Sequence, residues 1–236
     1  MKGLFTACAG AVMCALLSTG CTPPAPQPTP PPVEDLKPSL AVSILSTPSQ
    51  ASVSLKERPL GLTPQSISVE NAADLLQLNA SLGDANASEK RIRFISPEMA
   101  EVHFLFGKER SPLAKSLGLS KVLVFDYGEG ITFDVDKSEL RPEFSSLLER
   151  QAEMLKRHFT NLDIYVCGHT DSTGTPNRNL TLSLARAQTV ADHLVALGVP
   201  KARLKVQGFG SGFPLATNDT LEGRALNRRT EIVLPQ

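Results

Sequence analysis

Neither sign of charge is in excess in this chain of 236 residues: 24 lysines and arginines face 24 aspartates and glutamates, for a net charge of zero. A protein that grips a polyanionic backbone needs a basic stripe from which counterions are released, and none is present, which argues against nucleic acid as a partner. Cysteine is scarce. Of the four, Cys8, Cys14 and Cys21 belong to an N-terminal apolar run and its end, which leaves Cys167 without an internal disulfide partner. Cys167 closes the strand-like run Leu162–Cys167 and reads as a packed strand residue, not a reactive thiol. No second apolar run reaches membrane-spanning length. No Gly-Lys-Ser/Thr phosphate loop occurs, and Gly208-x-Gly210-x-Gly212 is followed by Phe213-Pro214 where a nucleotide-binding helix would have to start. His169 and Asp171 stand two apart but lack a third metal ligand at useful spacing. The serines and histidines form no nucleophile–base arrangement. No cofactor, no metal and no catalytic activity are expected.

What is present begins with a leader. Lys2 precedes the apolar run Leu4–Leu17, and Ser18-Thr19-Gly20-Cys21 closes it. The run is too short to span a membrane and reads as a signal peptide over residues 1–20. Prolines then dominate, so residues 21–39 form a linker that prefers an extended polyproline helix. At about 3.1 Å per residue, Thr22 to Pro38 reaches on the order of 50 Å. The leader's end resembles the lipobox of bacterial lipoproteins, with Ser18 where that motif usually carries Leu. The resemblance implies an acylated, palmitate-bearing Cys21. Thr22 after it, where an Asp would signal inner-membrane retention, implies delivery to the outer membrane with the chain facing the periplasm.

Residues 40–107 read as a small β module. Ala51–Leu55 alternates at period two and Val42-Ser43-Ile44 does so before it, with Thr47–Gln50 as a turn between. Leu75–Ala80 and Arg91–Ile95 supply two further expected strands. Ser46-Thr47-Pro48, Ala51-Ser52-Val53 and Gly61-Leu62-Thr63-Pro64 resemble the PEGA module, a small β-sandwich of envelope proteins, although Lys56–Pro59 stands where that family has a glycine turn. The resemblance implies a spacer or a contact for an envelope protein. Residues 108–120 are a connection.

Residues 121–236 mix strands and helices. Strands are expected at Val122–Phe125, Ile131–Phe133, Ile164–Val166, Leu204–Val206 and Thr230–Leu234. Helices are expected from Pro142, tolerated at a first helical turn, through His158, and from about 179 to 197, before Gly198 and Pro200. On the second helix Asn179 and Arg186 are separated by about 700° and project within about 20° of each other, with Ser183 about 40° away. An apolar stripe of Leu180, Leu184, Ala187, Ala191 and Leu194 is expected about 100° round. The loop before the helix can bring Asp171 toward the polar edge. A carboxylate and a guanidinium at fixed separation grip a zwitterion, one taking the ammonium and the other the carboxylate. The same pair also fits a structural Asp171–Arg186 salt bridge or a solvated face.

Thr170-Asp171-x-x-Gly174, Asn179-x-x-x-Ser183-x-x-Arg186-Ala187, Gly208-Phe209-Gly210 with Pro214, Asn218, and Asn227-Arg228-Arg229-Thr230-Glu231-Ile232 follow one another in a family order. They resemble the C-terminal OmpA-like peptidoglycan-binding domain, shared with peptidoglycan-associated lipoproteins and flagellar motor stators. Phe133–Ser138 resembles that domain's opening strand and loop. The resemblance implies an α+β protein in which the PEGA-like sandwich precedes an OmpA-like two-layer α/β sandwich. It implies meso-diaminopimelate of the peptidoglycan stem peptide as ligand. Asp171 would take its ammonium and Arg186 its carboxylate, with Thr173, Asn179, Arg229 and Asp136 completing the polar lining. The function implied is a lipid-anchored, non-covalent tether between outer membrane and cell wall. The alternative is a scaffold component of a larger secretion or motility complex, in which wall contact only positions the assembly.

Overall fold

The computed structural model describes residues 39–96, 98–107, 112–128, 133 and 137–236. The expected signal peptide, Cys21, nearly all of the proline-rich linker, most of the strand expected at 131–133 and the opening-loop residue Asp136 lie outside the described residues.

Period-two alternation builds the first strand, β1 (Leu40–Thr47), where Leu40, Val42 and Ile44 are buried and the residues between them are exposed. β2 (Ser52–Leu55), β3 (Arg58–Leu62), β4 (Gln65–Val69), β5 (Leu78–Leu82), β6 (Ala85–Asn86), β7 (Glu89–Ser96) and β8 (Met99–Leu105) follow. The second half of the chain contains α1 (Pro112–Ser116), β9 (Val122–Gly128), α2 (Pro142–His158), β10 (Ile164–Gly168), α3 (Pro176–Ala196), β11 (Leu204–Gly208), α4 (Leu221–Asn227) and β12 (Arg229–Pro235). The strands form two sheets in a mixed α/β fold. Eight run in the order β11-β10-β12-β9-β7-β8-β1-β4, and four in the order β3-β2-β5-β6. The larger sheet therefore draws on both stretches of the chain, which meet where β7 pairs parallel with β9, from Glu89 opposite Val122 to Arg93 opposite Asp126.

The larger sheet has two unlike faces. On one, Phe125, Tyr127, Ile164, Val166, Ile232 and Leu234 join Phe144, Leu148 and Leu155 of α2 and Ala187, Val190 and Leu194 of α3 in one core. That core continues into the smaller sheet through Val53, Leu78 and Ala80. On the other face Val122, Val124, Cys167 and Val233 pack with Ala114 of α1, beside a row of buried charges described below.

Three local expectations are corrected. Ala72–Gln77, placed partly in a strand from sequence, is a 3₁₀ turn. The Asn71 side chain accepts from the Ala73 amide at 2.9 Å, and this local capping wins over the apolar run behind it. Helix α3 starts at Pro176, not near 179, because Thr175 caps it and proline suits the first turn. The apolar stripe of α3 is also rotated. Leu180 and Leu184 are 51% and 46% exposed, while Asn179, Ser183, Arg186, Ala187, Val190, Ala191 and Leu194 are buried. Glycine explains the rotation. A Cβ on Gly168 would lie 1.9 Å from the Ser183 carbonyl oxygen, and one on Gly208 would lie 2.5 Å from the Leu184 nitrogen. The helix backbone rests directly on β10 and β11 at these two points, which turns the polar edge inward.

Candidate functional site

The chain leaves β10 at Gly168 and enters the segment His169-Thr170-Asp171. The His169 amide donates to the Arg229 carbonyl and the Thr170 amide to the Gly210 carbonyl, both at 2.9 Å, so the segment is clamped from both sides. Ser183 holds the Gly210 side of the clamp, its hydroxyl accepting from the Gly210 amide at 2.9 Å. Asn179, buried in the first turn of α3, donates from Nδ2 to the Asp171 carbonyl oxygen at 3.2 Å.

Asp171 is 7% exposed. Its Oδ1 accepts from the Thr173 amide at 2.8 Å and its Oδ2 from Arg228 Nη1 at 2.7 Å. Burial works against the charged form, but the hydrogen bonds from Arg228 and Thr173 outweigh it and hold the carboxyl below the usual carboxylate value. Asp171 is therefore an anion at a loop, facing an arginine that is itself partly open to solvent.

The other expected site residues fall in distinct places. Arg186 is 2% exposed; its Nε donates to the Lys137 carbonyl at 2.9 Å and its guanidinium carbon stands 5.2 Å from the Phe133 ring centroid. That is cation–π range, and Phe133 itself forms an antiparallel bridge with Leu140. Thr173 is exposed on the loop and meets Asp171 through its backbone amide. Arg229 is turned away from Asp171. It is buried, with Nε donating to Glu231 Oε1 at 2.7 Å and Nη2 to the Phe213 carbonyl at 3.1 Å. Arg228, which sequence reasoning passed over, is the arginine on Asp171. Strand alternation gives half of the answer, putting Arg229 on the side of the buried Glu231 two residues on, while Arg228 is the C-cap of α4, one residue before β12.

Behind the site lies a buried row of charge. Arg91 on β7 donates from Nη1 to Glu231 Oε1 at 2.6 Å and from Nη2 to Glu89 Oε1 at 2.9 Å. Arg93 donates to Asp126 Oδ2 from Nη2 at 2.6 Å and from Nε at 3.0 Å. His169 stacks on Phe209 at 5.5 Å between ring centroids, its Nε2 3.6 Å from Glu231 Oε2. Burial opposes the charge on Glu231, yet Arg229 and Arg91 hold it ionised, its pKa well below the usual value. Burial, with Arg229 close by, lowers the pKa of His169.

Chemically, a fixed carboxylate, a partly exposed guanidinium and a helix carrying a further arginine suit the holding of a charged, polar ligand. Comparison with known proteins gives the same region. A profile of the OmpA family matches residues 132–228. The chain is 38% identical over 112 residues to the probable lipoprotein YiaD of Escherichia coli, covering 48% of this chain and 51% of that one. It is 34% identical over 121 residues to the peptidoglycan-associated lipoprotein of Rhizobium meliloti, covering 51% of this chain and 68% of that one. Among solved structures, the cell wall anchor of the T6SS from Pseudomonas aeruginosa shares 33% identity, with 53% of this chain and 98% of that one covered and a TM-score of 0.44. The chain thus spans about half the length of YiaD.

Proposed function

Because the chain belongs to the OmpA family, we propose that it binds peptidoglycan non-covalently and tethers the outer membrane to the cell wall. The observation that carries this reading is Asp171, held as an anion at the mouth of a loop and tied through Asn179 to the helix that bears Arg186. The name of the Rhizobium relative, a peptidoglycan-associated lipoprotein, points the same way. The protein holds its ligand without catalysing a reaction on it.

The ligand in this reading is the meso-diaminopimelate of the stem peptide. Its ammonium group goes to Asp171 and its terminal carboxylate to Arg186, with Thr173, Asn179 and Asp136 lining the site. Arg228 adds a second guanidinium at the mouth, and Arg229 supports it from behind through Glu231. Each charge-assisted contact contributes about 1.5–3 kcal/mol, set against an association cost of several kcal/mol. Binding at one site is then micromolar, and many copies on one wall hold by avidity. Lysine lacks the terminal carboxylate, so a lysine-containing stem peptide loses the Arg186 contact and binds more weakly. Cys21 carries the lipid after removal of residues 1–20, the Pro-rich linker spaces the folded part from the outer membrane, and the chain faces the periplasm. Residues 40–107 act as a PEGA-like spacer or as a contact for an envelope protein.

Calorimetric titration of a diaminopimelate-containing stem peptide into the full chain tests the reading. Saturable binding, abolished in Asp171→Asn and Arg186→Gln variants that stay folded, is expected. Equal affinity for the diaminopimelate and lysine peptides, or no binding at all, would falsify it.

A further inference from the structure

We infer that Asn227 and Asn218 act as positioning residues for the Asp171 loop, an inference that rests on the binding site proposed above and adds to it a device that holds the loop in place. Asn227 is the last residue of α4 and fully buried. Its amide orientation is fixed by its neighbours. The amides of Leu215 and Ala216 can only donate, and both meet Oδ1, at 2.7 and 3.0 Å. Nδ2 is left to donate to the Ala216 carbonyl at 2.9 Å and to Asn218 Oδ1 at 3.0 Å. Two acceptor bonds and two donor bonds fill the capacity of a side-chain amide.

The arrangement reaches the site through Asn218. The same Oδ1 that accepts from Asn227 accepts from the Ser172 amide at 3.1 Å, and Ser172 directly follows Asp171. The residue after Asn227 is Arg228, whose guanidinium meets the Asp171 carboxylate. The backbone beyond Asp171 and the Asp171 side chain are therefore both set from the end of α4. The 215–218 segment is fixed in turn. Arg224 Nη1 donates to the Asn218 carbonyl at 2.7 Å, and a Cβ on Gly223 would lie 1.9 Å from the Thr217 carbonyl oxygen, so α4 presses directly on the segment. Thr220 caps that helix from the same turn, accepting from the Gly223 amide at 3.0 Å.

Asn218 is the residue to change, because it lies at the surface end of the chain of bonds and its removal spares the core. In the full chain, Asn218→Ala removes the acceptor for Ser172, and Asn218→Asp keeps an acceptor oxygen in place. Amide hydrogen exchange at Ser172 is expected to rise roughly five- to tenfold in the alanine variant, in line with the loss of one hydrogen bond. In the aspartate variant it is expected to stay near the unmodified rate. Exchange at Val166 and Cys167 in β10 stays unchanged in both. Affinity for the diaminopimelate-containing stem peptide is expected to fall with the alanine variant by a similar factor. Asn227→Asp, which replaces the Nδ2 donor by oxygen at nearly equal volume, is expected to release Ser172 in the same way. Unchanged Ser172 exchange in Asn218→Ala overturns the inference, as does faster exchange with undiminished affinity. Failure of the unmodified chain to bind the peptide refutes the wall-binding reading instead, and the exchange rates then still decide whether this pair holds the loop.

Discussion

Arg91 and Glu231 lie 140 residues apart in sequence and 2.6 Å apart in space, Nη1 to Oε1, at the centre of the eight-stranded sheet. Around them Arg91, Arg93 and Arg229 face Glu89, Asp126 and Glu231, three cations against three anions with little access to water. Such a cluster holds only while it is complete, since a buried charge without its partner is costly. Arg91→Met is expected to destabilise the protein by about 3–5 kcal/mol. Urea unfolding checks this as a lower midpoint at unchanged slope; a midpoint equal to that of the unmodified chain would count against the cluster's role.

The same contact predicts that residues 118–236 are less stable alone than within the chain. Removing β7 strips Arg91 and Arg93 from Glu231 and Asp126 and bares the edge of β9. Amides of β12 are expected to exchange faster in the fragment than in the full chain. Equal protection in both would show the second half to be self-sufficient.

His169 predicts the response to mild acid. Its folded pKa is lowered below 6.5 by burial and by Arg229, so the unfolded chain binds the extra proton first. Stability from this residue is fully present above the unfolded value of about 6.5 and is lost as pH falls below it through the lowered folded value. A His169→Gln variant should flatten the stability profile just below the ordinary histidine value while leaving the steeper loss at lower pH.

That lower loss belongs to the carboxylates. Asp171 has a folded pKa below its ordinary 3.8, so its contribution is present above that value and disappears as pH falls through the depressed one. Peptide binding is expected to follow, holding steady from neutral pH down to the ordinary carboxylate value and failing only below it, as Asp171 protonates at its depressed value. Titrations repeated across this range give the midpoint.

Gly168→Ala is expected to be among the most damaging single changes. The added methyl meets the backbone of Ser183 at 1.9 Å, and no side chain can rotate out of its way. A loss at or beyond the upper end of the usual 1–3 kcal/mol for overpacking, roughly 3 kcal/mol or more, follows. Thermal unfolding measures it directly.

Cys167 should resist alkylation. It is buried, and burial, followed by the nearby Glu231, pushes its thiol well above the usual range. A thiol reagent is expected to label it only after denaturation; rapid native labelling would contradict the packing of that sheet face.

Much of this architecture was legible in the sequence, and the parts that were not share a cause. Helix α2 was readable to the residue because Pro142 marks its start and the apolar positions carry the helical period. The start of α3 was signalled by Thr175-Pro176, yet a polar first turn without apolar residues hid it. The inward turn of Asn179, Ser183 and Arg186 was not legible, because it depends on Gly168 and Gly208 admitting the helix backbone from strands outside the helix. The choice between Arg228 and Arg229 turned on the junction of α4 and β12, where Arg228 caps the helix and meets Asp171 while Arg229 opens the strand on the side of the buried Glu231. The pairing of β7 with β9 had no local signature, since the residues that fix it are charges whose partners lie far along the chain.

The order of strands also sets a load path. Between β1, where the described chain begins, and β10, which carries the Asp171 loop, lie five strand-to-strand ladders in series: β1 with β8, β8 with β7, β7 with β9, β9 with β12, and β12 with β10. Tension entering at Leu40 and leaving through a ligand on Asp171 crosses all five, and a series of links yields at its weakest. Arg93–Asp126 rivets the third ladder, and Arg91–Glu231 ties β7 to β12 across both the third and the fourth. A pulled molecule would therefore part elsewhere in the series first, leaving β7, β9 and β12 joined.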